Sequence, residues 1–287
     1  MPINPSELIL NENGSIYHLN LKPEHISDTI ILVGDQERVD MVSKHFDRVI
    51  FNIQNREFKT HTGILNGKLV SVISTGIGTD NIDIVLNELD ALVNINFSTR
   101  SINSTLKQLT IIRIGTSGAI QHNIPLDSFL ISTHAIDLTG LLNAYSCSAI
   151  ASQSLTSAFI SYAGINQFEL SPTAIAGSKA LVKQFKSDTT QLGITITANG
   201  FYGPQGRMLR LMPKYPNLNE VLKRFEFNSK KITNLEMETA GIYGLCRLLG
   251  HRSISLNAII ANRANGSFSE TPKQTIENLI TYTLARL

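Results

Sequence analysis

The chain has 287 residues, 42% of them hydrophobic, enough to bury a sizeable core as one large α/β domain, the first choice, or as two small ones. A formal net charge of only +2, with 25 basic residues scattered rather than gathered into an arm, speaks against a nucleic-acid partner. No apolar run reaches the roughly 18 residues of a membrane-spanning helix, and the opening MPINPSELIL lacks the basic start and apolar centre of a signal peptide, so no membrane partner and a cytoplasmic location are expected.

Taken in chain order, runs rich in Ile and Val predict buried strands at TIILVG (29–34), KLVSVISTG (68–76), LTIIRIG (109–115), SFLISTHAI (128–136) and SISLNAIIANR (253–263). Helical patterns lie between and after them: NIDIVLNELDALV (81–93), EMETAGIYGLCRLLG (236–250) and TPKQTIENLITYTLARL (271–287), the last opened by Thr271 with Pro272 in its first turn. The alternation predicts an α/β sheet covered by helices, in a single domain over residues 1–287. Two polar excursions interrupt it, at 96–108 and 213–231, the second placed where a mobile flap would serve a site. Cys147 and Cys246 have no CxxC or Cys/His ligand spacing, which argues against a disulfide framework or a zinc site and predicts two buried fillers. The seven histidines show no metal-ligand spacing, so no metal is expected, and no Ser/His/Asp arrangement supports covalent catalysis.

Several segments carry chemistry. In ILVGDQERV a strand ends at Gly34 and a helix capped by Asp35 follows, with Arg38 one turn in; a glycine, a helix N-terminus and an arginine suit an anion, but this segment alone favours an ordinary capped helix with a solvated arginine. In TIIRIGTSGAI, Arg113 sits inside an apolar strand ahead of a Gly-Thr-Ser-Gly turn rich in donors. A buried arginine needs an anionic partner, either a bound ligand or a carboxylate from a neighbouring element. NREFKTHTG puts Arg56 between two strands, a surface position unless a partner surface exists. TNLEMETAGIYGL is a helix of small packing residues, and its Glu236 and Glu238 either favour the helix dipole or accept hydrogen bonds from a polyol such as ribose. In GFYGPQGRMLRL, residues 205–207 read as extended would point Gln205 and Arg207 to one side, a carboxamide offering a donor and an acceptor beside a donor-only guanidinium. That pair suits the carbonyl, N–H, carbonyl edge of uracil, with Phe201 and Tyr202 as a stacking surface.

Together GDQER, NREF, RIGTSGAI, FYGPQGR, EMETAGIY and IIANR, in this order, resemble the uridine phosphorylase branch of the nucleoside phosphorylase family, from about His18 to the C-terminus. The resemblance implies a single α/β domain with a mixed, barrel-like central sheet flanked by helices, and phosphorolysis of a nucleoside to free base and ribose 1-phosphate. It implies no cofactor, inorganic phosphate being a co-substrate, and a homodimer or a hexamer of dimers whose active sites are shared. The phosphate site would be Gly34, Arg38, Arg113 and Thr116, completed by Arg56 from a second subunit. The ribose site would be Met237 and Glu238 with His18 from that subunit, and the base site Gln205 and Arg207 between Phe201, Ile260 and Ala261. Two positions depart from the family pattern: Gly-Asp-Pro is Gly34-Asp35-Gln36, and Pro-Gly before the base-binding glutamine is inverted to Gly203-Pro204. Purine-specific relatives carry an acidic proton donor in the segment that reads IIANRANG here; its absence favours a pyrimidine. A purine phosphorylase, a hydrolytic nucleosidase of the same fold and a catalytically silent nucleoside sensor remain alternatives.

Overall fold

The computed structural model describes residues 2–163 and 171–287. They form two compact units, Met1–Ile112 with Leu249–Arg252, and Arg113–Leu248 with Ser253–Leu287. Among the described residues no helix is long and apolar enough to cross a membrane.

The first unit holds β1 (Thr29–Val33), α1 (Gln36–Ser43), β2 (Arg48–Asn55), β3 (Phe58–Leu65), β4 (Lys68–Ser74), α2 (Thr79–Asn94) and a short pair, β5 (Ile95–Asn96) with β6 (Ser101–Ile102). Strand β1 is a continuous apolar run because it is covered on both faces, and it pairs in parallel with β4. Strands β2, β3 and β4 are antiparallel, and β2, open along one side, is largely exposed. The β2–β3 turn places Arg56 in the left-handed region, at φ 54°. Helix α2 buries Ile82, Val85, Leu86 and Leu89, the spacing of one helical face. The polar excursion at 96–108 contains the β5–β6 pair.

Strand β7 (Thr110–Ala119) carries the chain onward. The second unit continues with β8 (Phe129–Asp137), α3 (Gln153–Ala163), β9 (Thr173–Ala176), α4 (Lys179–Phe185), β10 (Thr190–Thr197), α5 (Leu218–Arg224), β11 (Glu226–Phe227), β12 (Lys230–Glu236), α6 (Thr239–Leu248), β13 (Arg252–Asn262), β14 (Ser267–Phe268) and α7 (Pro272–Leu284). Its strands run β12, β10, β8, β13, β7 and return to β12 through an antiparallel contact at Leu235 with Gly118, closing a ring of five. Pairing is parallel along β12, β10 and β8 and antiparallel between β8 and β13, so the sheet is mixed and barrel-like as expected. Strand β10 bends to close the ring: its register shifts against both neighbours around Gly193, Ile194 and Thr195. Gly193 is obligatory there, since a Cβ would lie 2.0 Å from the Thr233 hydroxyl. Helix α6 buries Ala240, Gly241 and Gly244, the last against Leu142, while Ile136, Phe159, Ile194, Ile196, Leu222 and Phe225 form the apolar core.

Two sequence expectations change. The Gly-Thr-Ser-Gly segment is not a turn: β7 runs straight through it, and neither Gly115 nor Gly118 has a positive φ. The glycines supply clearance instead, because a Cβ on Gly115 would fall 1.9 Å from the Arg113 guanidinium. Residues 213–231 are also more than a flap, since they contain α5 and β11 and bury Leu218, Leu222 and Phe225 in the core. Cys147 and Cys246 are buried and free, as expected.

Candidate active site

In the first unit the strand end, the cap and the helix start around Gly34, Asp35 and Arg38 are built as the sequence indicates. Gly34 follows β1, where a Cβ would lie 3.5 Å from the Gly76 carbonyl, and the Asp35 carboxylate caps α1 by accepting from the Glu37 N–H at 2.9 Å. Half-buried Arg38 follows in the first turn, its N–H on the Asp35 carbonyl. Gln36, which stands where the family pattern has proline, donates its amide to the Arg56 carbonyl at 3.1 Å and accepts from Gln54 at 3.1 Å. The departure thus fastens α1 to the β2–β3 turn. Arg56 is exposed and reaches over the Tyr17 ring, 5.5 Å from its centroid, and Tyr17 meets the His18 ring edge-on at 4.8 Å. His18 is oriented from three sides: its Nδ1 lies 2.6 Å from Glu88, its N–H donates to the same carboxylate, and its carbonyl accepts from Asn55 at 2.7 Å. The structure therefore brings His18 and Arg56 together on one surface.

In the second unit Arg113 answers the question its sequence position raised, and the anionic partner is a carboxylate. Its NH2 donates to Glu238 at 2.5 Å and lies 3.3 Å from Glu236. Its NH1 donates to Asn257 at 3.1 Å and to Ser255 at 3.4 Å. Burial alone would lower the pKa of this guanidinium, but the two carboxylates outweigh it and hold the pKa above its ordinary value. The two glutamates have separate tasks. Glu236 accepts from the backbone N–H groups of Glu238 and Thr239, both at 2.9 Å, and so caps α6, while its other oxygen accepts from Thr197. Glu238 faces Arg113. Met237 between them is half-buried, as is Thr116 on β7.

Gln205 and Arg207, the pair expected to meet a base, are also brought together, by a different route from the one expected. Residues 203–205 form one turn of 3-10 helix and Gly206 follows in the left-handed region at φ 65°, so the segment is not extended. The turn nonetheless places the Arg207 guanidinium 2.5 Å from the Gln205 carbonyl oxygen, with a further bond to the Phe201 carbonyl at 2.7 Å. The guanidinium lies flat on the Phe201 ring, 3.8 Å from its centroid, and Phe201 meets Tyr202 edge-on. Phe201 therefore supports Arg207 on one of its faces. Gln205 is buried although its neighbours 201–204 are exposed. Ile260 and Ala261 are half-buried near the end of β13, where Ala261 pairs with Phe268.

Sequence reasoning missed Arg263. It donates to the carbonyls of Gln205 and Gly206, at 2.5 and 3.2 Å, and with Arg207 it lies over Gly118. Burial, and then the neighbouring Arg207, push its pKa down to about 10, which leaves it protonated at neutral pH. The available signal was a charged residue directly after a long apolar strand. Two cations beside a buried carboxamide suit a ligand edge that presents carbonyl oxygens and gains negative charge. A groove of about 1110 Å³ opens beside Arg207 and Tyr202 and is walled by Leu209, Leu211, Met212 and Tyr215; Gln205 and Glu238 are not among its lining residues.

The phosphorylase superfamily model matches residues 28–285. A uridine phosphorylase of Thermococcus kodakarensis is 29% identical over 265 residues, covering 90% of this chain and 82% of the relative. A uridine phosphorylase of Haemophilus influenzae is 28% identical over 272 residues, covering 93% and 95%. The crystal structure of a Trypanosoma brucei nucleoside phosphorylase, described as showing uridine phosphorylase activity, superposes with a TM-score of 0.89 at 27% identity, over 98% of this chain and 99% of that one.

Proposed function

The chain belongs to the phosphorylase superfamily, and on that premise we propose that it cleaves a pyrimidine nucleoside, uridine before others, with inorganic phosphate to give the free base and ribose 1-phosphate. The observation that carries the choice of base is the Gln205–Arg207 pair, joined at 2.5 Å and backed by Arg263, in a chain similar over most of its length to proteins named uridine phosphorylase.

The roles follow from the chemistry of each group. Gly34, Arg38, Arg113 and Thr116 bind phosphate, with Arg56 supplied by a second subunit. Met237 and Glu238 hold the ribose, helped by His18 of that subunit. Gln205 and Arg207 grip the uracil edge, and Phe201, Ile260 and Ala261 wall the base. Phosphate held against the sugar stabilises the cationic character that grows at C1′ as the C1′–N bond lengthens, and the arginine pair takes up the charge that collects on the departing uracil. No covalent intermediate with the protein is required. The enzyme works without a cofactor, in the cytoplasm, as a homodimer or a hexamer built of dimers.

The test is a panel: uridine, inosine and methylthioadenosine, each with and without phosphate, followed by chromatography of the released base. Release of uracil from uridine only when phosphate is present is the expected result. Preference for inosine would identify a purine enzyme, release without phosphate a nucleosidase, and no turnover a silent binder.

A further inference from the structure

The ring of five strands is lined by six polar side chains, two from β7 and one from each of the others, that form a single directed series of hydrogen bonds. It begins at Arg113 on β7, whose NH1 donates to the Asn257 carbonyl oxygen on β13 at 3.1 Å. An arginine only donates, so the Asn257 amide must turn its oxygen toward Arg113 and its NH2 away. That NH2 donates to the Ser132 hydroxyl on β8 at 3.2 Å. Ser132 and Thr195 on β10 lie 2.6 Å apart, and Thr195 spends its one proton on the Asn234 carbonyl oxygen on β12 at 2.8 Å, so Ser132 is the donor to Thr195. Asn234 then donates to Ser117 at 2.9 Å, which returns the series to β7 next to Thr116. All six side chains are buried.

We infer that Asn257 is a positioning residue: held by this series, it fixes the orientation in which Arg113 meets an incoming phosphate. The inference rests on the reading of Arg113 as a phosphate-binding residue. The two glutamates meet the guanidinium at NH2, and Asn257 with Ser255 grips it at NH1, a second corner that opposes any pivot about the first. Gly115 leaves room on the strand side, so the grip on NH1 comes from β13. Asn257 can do this only while its own amide is held, which is the part played by Ser132. A carboxylate in its place would also grip NH1 but would add a third negative charge beside an anion site, whereas a carboxamide positions without repelling.

The experiment compares Asn257→Leu, Ser132→Ala and the double variant with the wild type, measuring KM for phosphate, KM for uridine and kcat, with thermal unfolding as a check on folding. Asn257→Leu should raise the phosphate KM by about 10-fold to 100-fold while the uridine KM moves less than about twofold. Ser132→Ala should raise the phosphate KM by a smaller factor, and the double variant should be no worse than Asn257→Leu alone, because Ser132 acts through Asn257. A residue that merely supports the fold would move both KM values or lower the melting temperature in step with activity, and that result overturns the proposal. Equal phosphate KM in wild type and Asn257→Leu also overturns it, and if Asn257→Leu does not fold, an unchanged phosphate KM in Ser132→Ala does the same. A wild-type enzyme that turns over uridine without any phosphate dependence would instead overturn the functional reading on which the proposal stands.

Discussion

Arg207 is gripped on three sides, by the Phe201 ring, the Phe201 carbonyl and the Gln205 carboxamide, and a lysine cannot reproduce this because its ammonium is a point donor without a plane. Arg207→Ala should therefore lower uridine turnover on the order of 100-fold or more, with Arg207→Lys closer to Ala than to wild type, while circular dichroism stays unchanged. Steady-state kinetics check both; an Arg207→Lys enzyme with full activity would mean that the planar grip is irrelevant. Residues of this kind were legible in the sequence wherever a polar group stood out against its surroundings: Arg113 inside an apolar strand, Gln205 and Arg207 on a glycine-rich segment. Arg263 and Asn257 offered the same signal more faintly. What single residues did not reveal was their partners. That Arg113 meets Glu238, or that Gln36 ties down the Arg56 turn, depends on tertiary contacts across 125 and 20 positions of chain.

At the scale of elements, β7 shows why a glycine is ambiguous in sequence, since the same residue type serves a tight turn and a close side-chain approach. Gly115→Ala puts a methyl group 1.9 Å from the Arg113 guanidinium and should cost about 1–3 kcal/mol of stability while raising the phosphate KM at least several-fold. Gly118→Ala, whose Cβ would meet Arg263 and Arg207 at 3.4 and 3.5 Å, should be milder in denaturant unfolding. Strands β10 and β12 escaped notice because Thr195 and Asn234 stand among Ile194, Ile196, Ile232 and Leu235, which leaves no continuous run of Ile and Val. Strand β8 carries a separate pH effect. Burial first, and then Lys230 and Lys179, push the His134 pKa from 6.5 down to about 4, so the folded chain keeps this imidazole neutral where the unfolded chain takes up a proton. The contribution to stability is fully present above pH 6.5 and is lost as the pH falls from there toward about 4. Denaturant unfolding across that range should show a slope that His134→Gln flattens, and equal slopes in the two proteins would exclude His134 as its source.

For the molecule as a whole, the α/β class was legible from alternating runs, but the closed ring was expected only through the family resemblance, because its last pairing joins residues 118 and 235 and no local pattern encodes that contact. Whether active sites are shared between subunits is likewise a property of an assembly. Arg56 and His18 stand together around Tyr17, and we propose that both serve a neighbouring subunit. If they do, mixing inactive Arg56→Ala with inactive Arg113→Ala chains under conditions of subunit exchange should restore activity, because a twofold dimer of the two collects both lesions in one site and leaves the other intact. Persistent inactivity after exchange is verified by mass would place Arg56 in its own chain's site. The central claim is phosphorolysis itself, and its most direct test is to incubate the protein with uridine and inorganic phosphate and follow the products by phosphorus NMR and chromatography. Uracil and ribose 1-phosphate should appear in equal amounts, and neither should form when phosphate is omitted; free ribose released at the same rate with and without phosphate would contradict the claim.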